Sequence, residues 1–459
     1  MCNNIVALAN STKDGVVIFA KNSDRAPNEA HLLEHVPPAV HPKRSVVRCT
    51  YVSIPQVERT HAMILARPSW LWGAEMGTNE HGLTIGNTAV FTRVAYQTGP
   101  GLTGMDFLRL ALERAERPLD AVKVITELLE TFGQGGNCGF RKGFYYHNSF
   151  VIANHEEAWI LETAGKHWVA ERVRDVRATS NTLTVTTDFD MISDDAISFA
   201  ELKGWHKPGT PFNFKQSYGG KGLYPSFLWT LFGRGDGRQN RLTRLLNQQK
   251  GEISVTSVKS MLRDHGAEVG TDYTPADGLF GNSVCMHAGF GPIRTDQTTG
   301  SMVSHLTEAL PTHWFTATSA PCTSVFKPVW LDSGLPHHGE FPTGQYNLSS
   351  LWWQHERLHR EVLKDYAVRV RLFQQERDLL ERRFEEEVVG VQSMSLQKRR
   401  ELSKSCFDEA RRLTEKWLQE VKKAPVQSPN PWLYRKAWEG LARDSSFYYG
   451  EESGETQIP

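Results

Sequence analysis

Long apolar runs are missing from this chain of 459 residues, none of them approaching the ~20 residues that a bilayer-spanning helix requires. A membrane span is therefore not expected. Charge of one sign is missing as well. Lys+Arg and Asp+Glu both number 52, so no global field gathers nucleic acid or an anionic membrane surface, and neither is an expected partner. The first twenty residues carry Asn3, Asn4, Ser11, Thr12, Lys13 and Asp14 where a secretory leader would be basic and then apolar, so the chain reads as cytoplasmic. Cysteine is sparse. Cys2, Cys49, Cys138, Cys285, Cys322 and Cys406 are scattered without a CxxC pair, which speaks against a disulfide framework and for buried thiols with at most one reactive group.

What is present is patterned. Two apolar runs, 5–9 and 16–20, flank the turn signal Asn10 to Gly15 and predict a β-hairpin whose first strand begins beside Cys2. Further strand signals fall at 61–66 and 83–87. Met105, Leu108, Leu112 and Ala115 share one helical face; Val122, Ile125, Leu128, Leu129 and Phe132 share another, with Gly133 as its C-terminal cap. A meander over 149–153, 158–163 and 167–173 follows. Strands, then helices, then strands again predict the segregated layers of an α+β fold. Residues 209–237, rich in glycine and aromatics, read as a long ordered loop. The main domain spans 2–345. A charged helical extension spans 346–424, where Leu358, Val362, Tyr366, Val370 and Phe373 recur at helical spacing. From Pro425 to Pro459 the composition predicts a fraying tail.

Cys2 carries the chemistry. Initiator methionine is removed when the next side chain is small, and Cys2 would then hold a thiol and a free α-amine on one residue. That amine titrates near ~8, so it can serve as a built-in base for the thiol. An inconsequential second residue is the competing reading. The strand Phe19-Ala20-Lys21-Asn22-Ser23-Asp24-Arg25 shifts the balance, because a hairpin returns Lys21 and Asp24 to the side of Cys2. A cation there lowers a thiol pKa, and a carboxylate can hold an α-ammonium group.

With that strand, Cys2 resembles the secernins and related cysteine dipeptidases, N-terminal-nucleophile hydrolases that also include penicillin V acylases and bile salt hydrolases. The resemblance extends to Arg67-Pro68-Ser69-Trp70-Leu71-Trp72-Gly73-Ala74-Glu75-Met76-Gly77, Asn79-Glu80-His81-Gly82, and Gly133-Gln134-Gly135-Gly136-Asn137-Cys138. Leu161-Glu162-Thr163-Ala164-Gly165 and Ser324-Val325-Phe326-Lys327-Pro328 continue it, so that it covers most of residues 2–365. It implies a four-layer αββα core with a C-terminal helical extension. It also implies an amidohydrolase or dipeptidase that cleaves short peptides or small amides through a Cys2 thioester.

The resemblance assigns roles residue by residue. Cys2 is the nucleophile, Lys21 stands where the acylases have Arg, and Asp24 binds the α-amine. Asn87 and Asn181 supply the oxyanion hole. The last arginine falls within 237–241, with Arg238 favoured for catalysis and Arg241 counted with substrate binding. Lysine at 21 keeps the charge and loses the bidentate fork. No cofactor and no metal are expected, and a homo-oligomer is left open. Because secernins are also associated with regulated secretion, an interaction protein with a vestigial Cys2 is the alternative.

Other signals rank lower. His355-Glu356-Arg357-Leu358-His359 matches the zincin HExxH pattern, with Glu376 or Glu381 as a third ligand, yet it lies in a charge-rich helical stretch and is read as structural. Cys285-Met286-His287 is too tightly spaced for a usual zinc corner and is read as core. Gly133 to Gly136 lacks the lysine of a phosphate loop, and Arg234-Gly235-Asp236 is read as a turn. Trp70 and Trp72, by alternation, share an inward face that lines either a substrate pocket or the core.

Overall fold

The computed structural model describes residues 1–219, 235–266, 273–276, 283–289 and 294–447. The predicted hairpin is its centre. Cys2–Ala7 and Val17–Arg25 pair antiparallel, with Cys2 opposite Ser23 and Asn4 opposite Lys21. Around them a six-stranded sheet forms, in the order Val176–Thr179, Cys2–Ala7, Val17–Arg25, Gln297–Leu306, Thr312–Phe315 and Lys327–Val329. A second, eight-stranded sheet contains the predicted meander as His147–Ala153, Ala158–Ala164 and His167–Arg172. It continues through Thr84–Val90, Met76–Asn79 and Met63–Pro68 to His31–Val36.

Period-two alternation sorts the side chains into layers. Val6, Val17 and Phe19 point to the second sheet and meet Ile64, Val151 and Ile160 between the two sheets. Ile5, Ile18 and Ala20 point the other way. They pack under Leu242 and Leu246 of the helix Gly235–Gln248 and Val258 and Met261 of Val255–Leu262. The far face of the second sheet presents Leu65, Ile85, Phe150 and Leu161 to the helices Gly104–Arg114 and Pro118–Phe132. Thr103 and Asp106 form a capping box at the start of the first of these helices. Gly133, at φ +71°, ends the second as expected. The result is the four-layer αββα arrangement.

The stripe Leu358, Val362, Tyr366, Val370 and Phe373 is buried in the same cluster as Ile5 and Ile18. The charged extension therefore thickens the outer helical layer, through Leu351–Val362, Gln374–Glu387 and Leu396–Lys423. The expected fraying tail is corrected over its middle: Trp432–Asp444 is a helix that buries Tyr434, Trp438 and Ala442, while 448–459 lie outside the described residues. Burial of that stripe of large side chains outweighs the polar composition around it. Much of the predicted 209–237 loop lies outside the described residues, but Phe214–Tyr218 is helical and Gly235–Gln248 begins inside its far end. Among the described residues no helix is long and apolar enough to cross a membrane.

Candidate active site

The hairpin register delivers Cys2, Lys21 and Asp24 to one end of the sheet sandwich, and all three are buried. The Cys2 thiol donates to Glu75 Oε2 at 3.4 Å. Glu75 also forms an ion pair with Lys21 Nζ at 3.3 Å and accepts Arg25 Nη1 at 3.2 Å, so one carboxylate offsets two buried cations. Arg25 is anchored by Glu29, by the Tyr146 hydroxyl at 3.3 Å and by the Cys138 carbonyl at 2.7 Å. Burial alone would push the Glu75 carboxyl up. Lys21, Arg25 and His31 overcome it and hold that carboxyl at about 2. Burial and the Glu75 charge push the Cys2 thiol up, and Lys21 and the N-terminal ammonium offset this only in part. The thiol is kept neutral at rest. It needs a base.

The backbone nitrogen of Cys2 marks where that base would arise. Its N–H donates to Asn181 Oδ1 at 3.0 Å, an oxygen that also accepts Arg238 Nη2 at 2.7 Å. Arg238 Nη1 donates to Asn3 Oδ1 at 2.9 Å and lies 3.5 Å from Asp24 Oδ2. Asp24 accepts the Thr298 hydroxyl at 2.6 Å and Asn3 Nδ2 at 3.2 Å. Burial pushes the Asp24 carboxyl up to about 6, with the N-terminal ammonium, Arg238 and Thr298 pulling the other way. The Met1 amine donates to the Asp24 carbonyl and to Asp296 Oδ2 at 3.0 Å. Burial opposes its charge, yet Asp296, Cys2 and Asp24 together raise its pKa.

Both asparagines stand next to this centre. Asn181 Nδ2 donates to the Ala89 carbonyl at 2.8 Å. The Asn87 backbone N–H donates to the Glu75 carbonyl at 3.1 Å, and its side-chain amide, turned to satisfy its neighbours, donates to Glu75 Oε2 at 3.0 Å. Lys21 Nζ donates to the Asn87 carbonyl. Asn87 therefore spends its donors on Glu75 in this resting arrangement.

A cavity of about 560 Å³ opens onto Met1, Cys2, Asp24, Arg25 and Glu75. Its far wall is built from 138–144 and from Leu441 and Asp444 of the C-terminal helix. A larger cleft of about 790 Å³, between Leu33–His35 and the segment 332–341, contains none of these groups.

Three expected substrate-binding residues stand elsewhere. Arg241 lies on the same helix as Arg238 but faces away, paired with Asp264. Trp72 stacks under the Arg109 guanidinium at 4.2 Å from the ring centre. Trp70 donates to Glu29 at 2.7 Å and packs beside Phe140, one layer behind the cavity wall. Alternation failed here because 69–73 is a turn, not a strand. Gly73 sits so close to the following helix that a Cβ would meet the Met105 carbonyl carbon at 2.2 Å. The HExxH pair also diverges. His355 Nε2 meets Thr323 and Ser324 at 3.1 Å, whereas His359 Nδ1 meets Glu356 at 2.9 Å.

Glu75, Arg25, Tyr146 and Asp296 are site residues that sequence reasoning passed over. Glu75 and Arg25 lie inside the strings quoted for the resemblance, and a carboxylate bordering the strand Met76–Asn79 was the available signal.

Comparison with known proteins places residues 1–377 in the sequence family described as Peptidase family C69. A dipeptidase of Bifidobacterium longum (strain NCC 2705) is 26% identical over 259 residues, covering 48% of this chain and 46% of its own. The chain thus matches under half the length of that curated relative. Among solved structures, a penicillin V acylase from Agrobacterium tumefaciens is similar at 15% identity and a TM-score of 0.40, over 72% of this chain and 86% of its own. A mutant conjugated bile acid hydrolase from Clostridium perfringens is similar at 13% identity and a TM-score of 0.40, over 68% and 88%.

Proposed function

The chain belongs to peptidase family C69, and from that premise we propose that it is a cysteine N-terminal-nucleophile hydrolase of short peptides or small linear amides. One observation carries the reading. The backbone nitrogen of Cys2, which becomes an α-amine once Met1 is removed, is seated on Asn181 at 3.0 Å, and the Arg238 and Asp24 charges enclose that seat.

In the proposed reaction the α-amine takes the Cys2 thiol proton, and the thiolate attacks the substrate carbonyl. Asn181 Nδ2 and a turned Asn87 amide donate to the oxyanion; each such donor contributes roughly 3 kcal/mol in comparable sites. The α-ammonium then returns its proton to the leaving amine, and a thioester remains on Sγ. Water, deprotonated by the same amine, releases the acid and restores the thiol. Lys21 and Arg25 hold Glu75, and Arg238 positions Asn181. Departure of Met1 also vacates Asp296 and the Asp24 carbonyl, a place suited to the ammonium end of a peptide. Arg141 and Lys142 on the opposite wall suit a carboxylate end.

The test is intact mass of the purified chain before and after an amide-mimicking thiol probe, followed by a dipeptide screen. Loss of Met1, one label on Cys2 and release of free amino acids are the expected results. Retained Met1 or an unreactive Cys2 would remove the mechanism and favour an interaction protein.

Asp24 sets an expected pH dependence. Its native value of about 6 lies above the ordinary carboxylate value, so the folded chain binds the extra proton and ionisation costs stability as pH rises through about 6. The proposed chemistry needs the ionised form to balance Arg238 and the α-ammonium. kcat/KM should therefore fall about tenfold per pH unit below the α-amine value near ~8, where the base becomes protonated, and about a hundredfold per unit below about 6, where Asp24 is protonated as well. In the Asp24→Asn variant the residual rate should be low and keep only the tenfold slope from pH 7 to 5. A steepening below about 6 that persists in that variant would reassign it to another group.

A further inference from the structure

On the outer face of the six-stranded sheet, four metal-binding side chains converge from three stretches of chain. His265 follows the helix Val255–Leu262, Cys285 and His287 lie in the segment 283–289, and Cys322 precedes the strand Lys327–Val329. Their donor atoms all lie within 4.8 Å of one another. Cys285, His287 and Cys322 are almost fully buried, and both cysteines are free thiols.

The spacing is that of a tetrahedron. Zinc bonds of about 2.0–2.1 Å to nitrogen and about 2.3 Å to sulfur give edges of roughly 3.4 Å for N···N and 3.6 Å for N···S. His287 Nε2 lies 3.2 Å from His265 Nε2, 3.3 Å from Cys322 Sγ and 3.8 Å from Cys285 Sγ. The far side of His287 fixes what Nε2 can do. Its Nδ1 is 3.0 Å from His359 Nε2, and His359 Nδ1 is 2.9 Å from Glu356 Oε1. The carboxylate can only accept, so His359 Nδ1 donates to it, and His359 Nε2 in turn accepts from His287 Nδ1. His287 Nε2 is left with one lone pair and three close polar neighbours. One lone pair cannot serve three donors, but it can serve one cation at their centre.

We propose that His265, Cys285, His287 and Cys322 form a structural zinc site, with His359 and Glu356 orienting His287 from behind. Two thiolates and two imidazoles suit zinc, and four protein ligands leave no open position for catalysis. Binding one Zn²⁺ releases the two thiol protons, and the resulting centre carries no net charge. The HExxH pattern thus contributes its glutamate and second histidine to the support of the site, and none of its residues to the ligand set. The proposal departs from the expectation of no metal.

The ion would brace the floor of the hydrolase site. Val284, next to Cys285, accepts Asn3 Nδ2 at 3.2 Å and Asn22 Nδ2 at 2.9 Å through its carbonyl. The Met286 N–H donates to the Thr298 hydroxyl at 3.0 Å, the same hydroxyl that donates to Asp24. Through His359 the site also ties this floor to the helix Leu351–Val362.

The test uses the full chain, made without a polyhistidine tag and analysed for metals. About one zinc per chain is expected, falling below about 0.1 in the Cys285→Ser and Cys322→Ser variants and unchanged in Cys49→Ser and Cys406→Ser. Stripped protein given Co²⁺ should develop the visible bands of a tetrahedral thiolate complex. The part-exposed His265→Ala variant should fold and bind zinc more weakly, and His359→Ala should lose about 10- to 100-fold in affinity. Zinc below about 0.1 per chain in the parent protein, with no cobalt spectrum after stripping, would overturn the proposal. So would a parent mass two daltons light from a Cys285–Cys322 disulfide. These readings do not depend on whether the chain hydrolyses peptides.

Discussion

Cys2→Ser is expected to lower dipeptide hydrolysis by about 10³-fold or more while leaving the melting temperature within a few degrees of the parent. Serine is small enough for Met1 still to be removed, so the α-amine remains in place. What changes is the acid it must deprotonate. An α-amine near ~8 can deprotonate a thiol, even one that burial and Glu75 push above its ordinary value, but not a hydroxyl that stays protonated across the whole accessible range. The fold should survive because Sγ makes one polar contact, to Glu75 at 3.4 Å, and a hydroxyl can make the same one. The backbone bond from Cys2 to Asn181 and the pairing opposite Ser23 do not involve the side chain. Steady-state rates and thermal melts on the same preparations decide the matter. A variant with half the parent activity would exclude Cys2 as nucleophile, and one that unfolds would assign Cys2 to packing.

The placement of Cys2 beside Lys21 and Asp24 was legible because its cues are local. The hairpin turn, the strand that follows it and the Met1-Cys2 start all lie within the first 25 residues, and period-two alternation fixes which side chains return to Cys2. The helix faces of 105–115 and 122–132 were legible for the same reason. Contacts between distant segments were not. Lys21 meets Glu75 across the two sheets, 54 residues away in sequence, and no periodicity announces such a pair. The cluster of His265, Cys285, His287 and Cys322 has spacings of 20, 2 and 35 residues, unlike the short ligand pairs that make a zinc site visible in sequence. The helix Trp432–Asp444 was missed because its polar residues dominate the composition, while three buried positions, Tyr434, Trp438 and Ala442, decide its packing.

Glu75, which sequence reasoning passed over, carries the second large expectation. Glu75→Gln should cost about 3 kcal/mol of stability at pH 7 and yet make the Cys2 thiol more reactive. The stability term follows from linkage. The Glu75 carboxyl is held at about 2 against an ordinary value of about 4.5, and each pKa unit is worth about 1.4 kcal/mol. A depressed value means that the stabilisation is complete above pH 4.5 and is lost as pH falls toward 2, so parent and variant should converge in acid. Loss of one partner of a buried ion pair typically costs about 3–5 kcal/mol, which agrees in size. Lys21→Met placed on Glu75→Gln should recover part of the loss, because it removes the cation left unpaired. The reactivity term has the opposite sign. After burial, the Glu75 charge is the main influence raising the Cys2 thiol, while Lys21 works to lower it. Removing the carboxylate leaves Lys21 as the charge that lowers the thiol, so the thiolate fraction at pH 7 should rise and alkylation of Cys2 should quicken. Denaturant melts and the rate of a single Cys2 label, read together, separate this from simple loosening, because a loosened core would also speed labelling of Cys138 and Cys285. Faster labelling of all three thiols would make Glu75 a packing residue; faster labelling of Cys2 alone would make it the charge that keeps the nucleophile protonated until the α-amine is free.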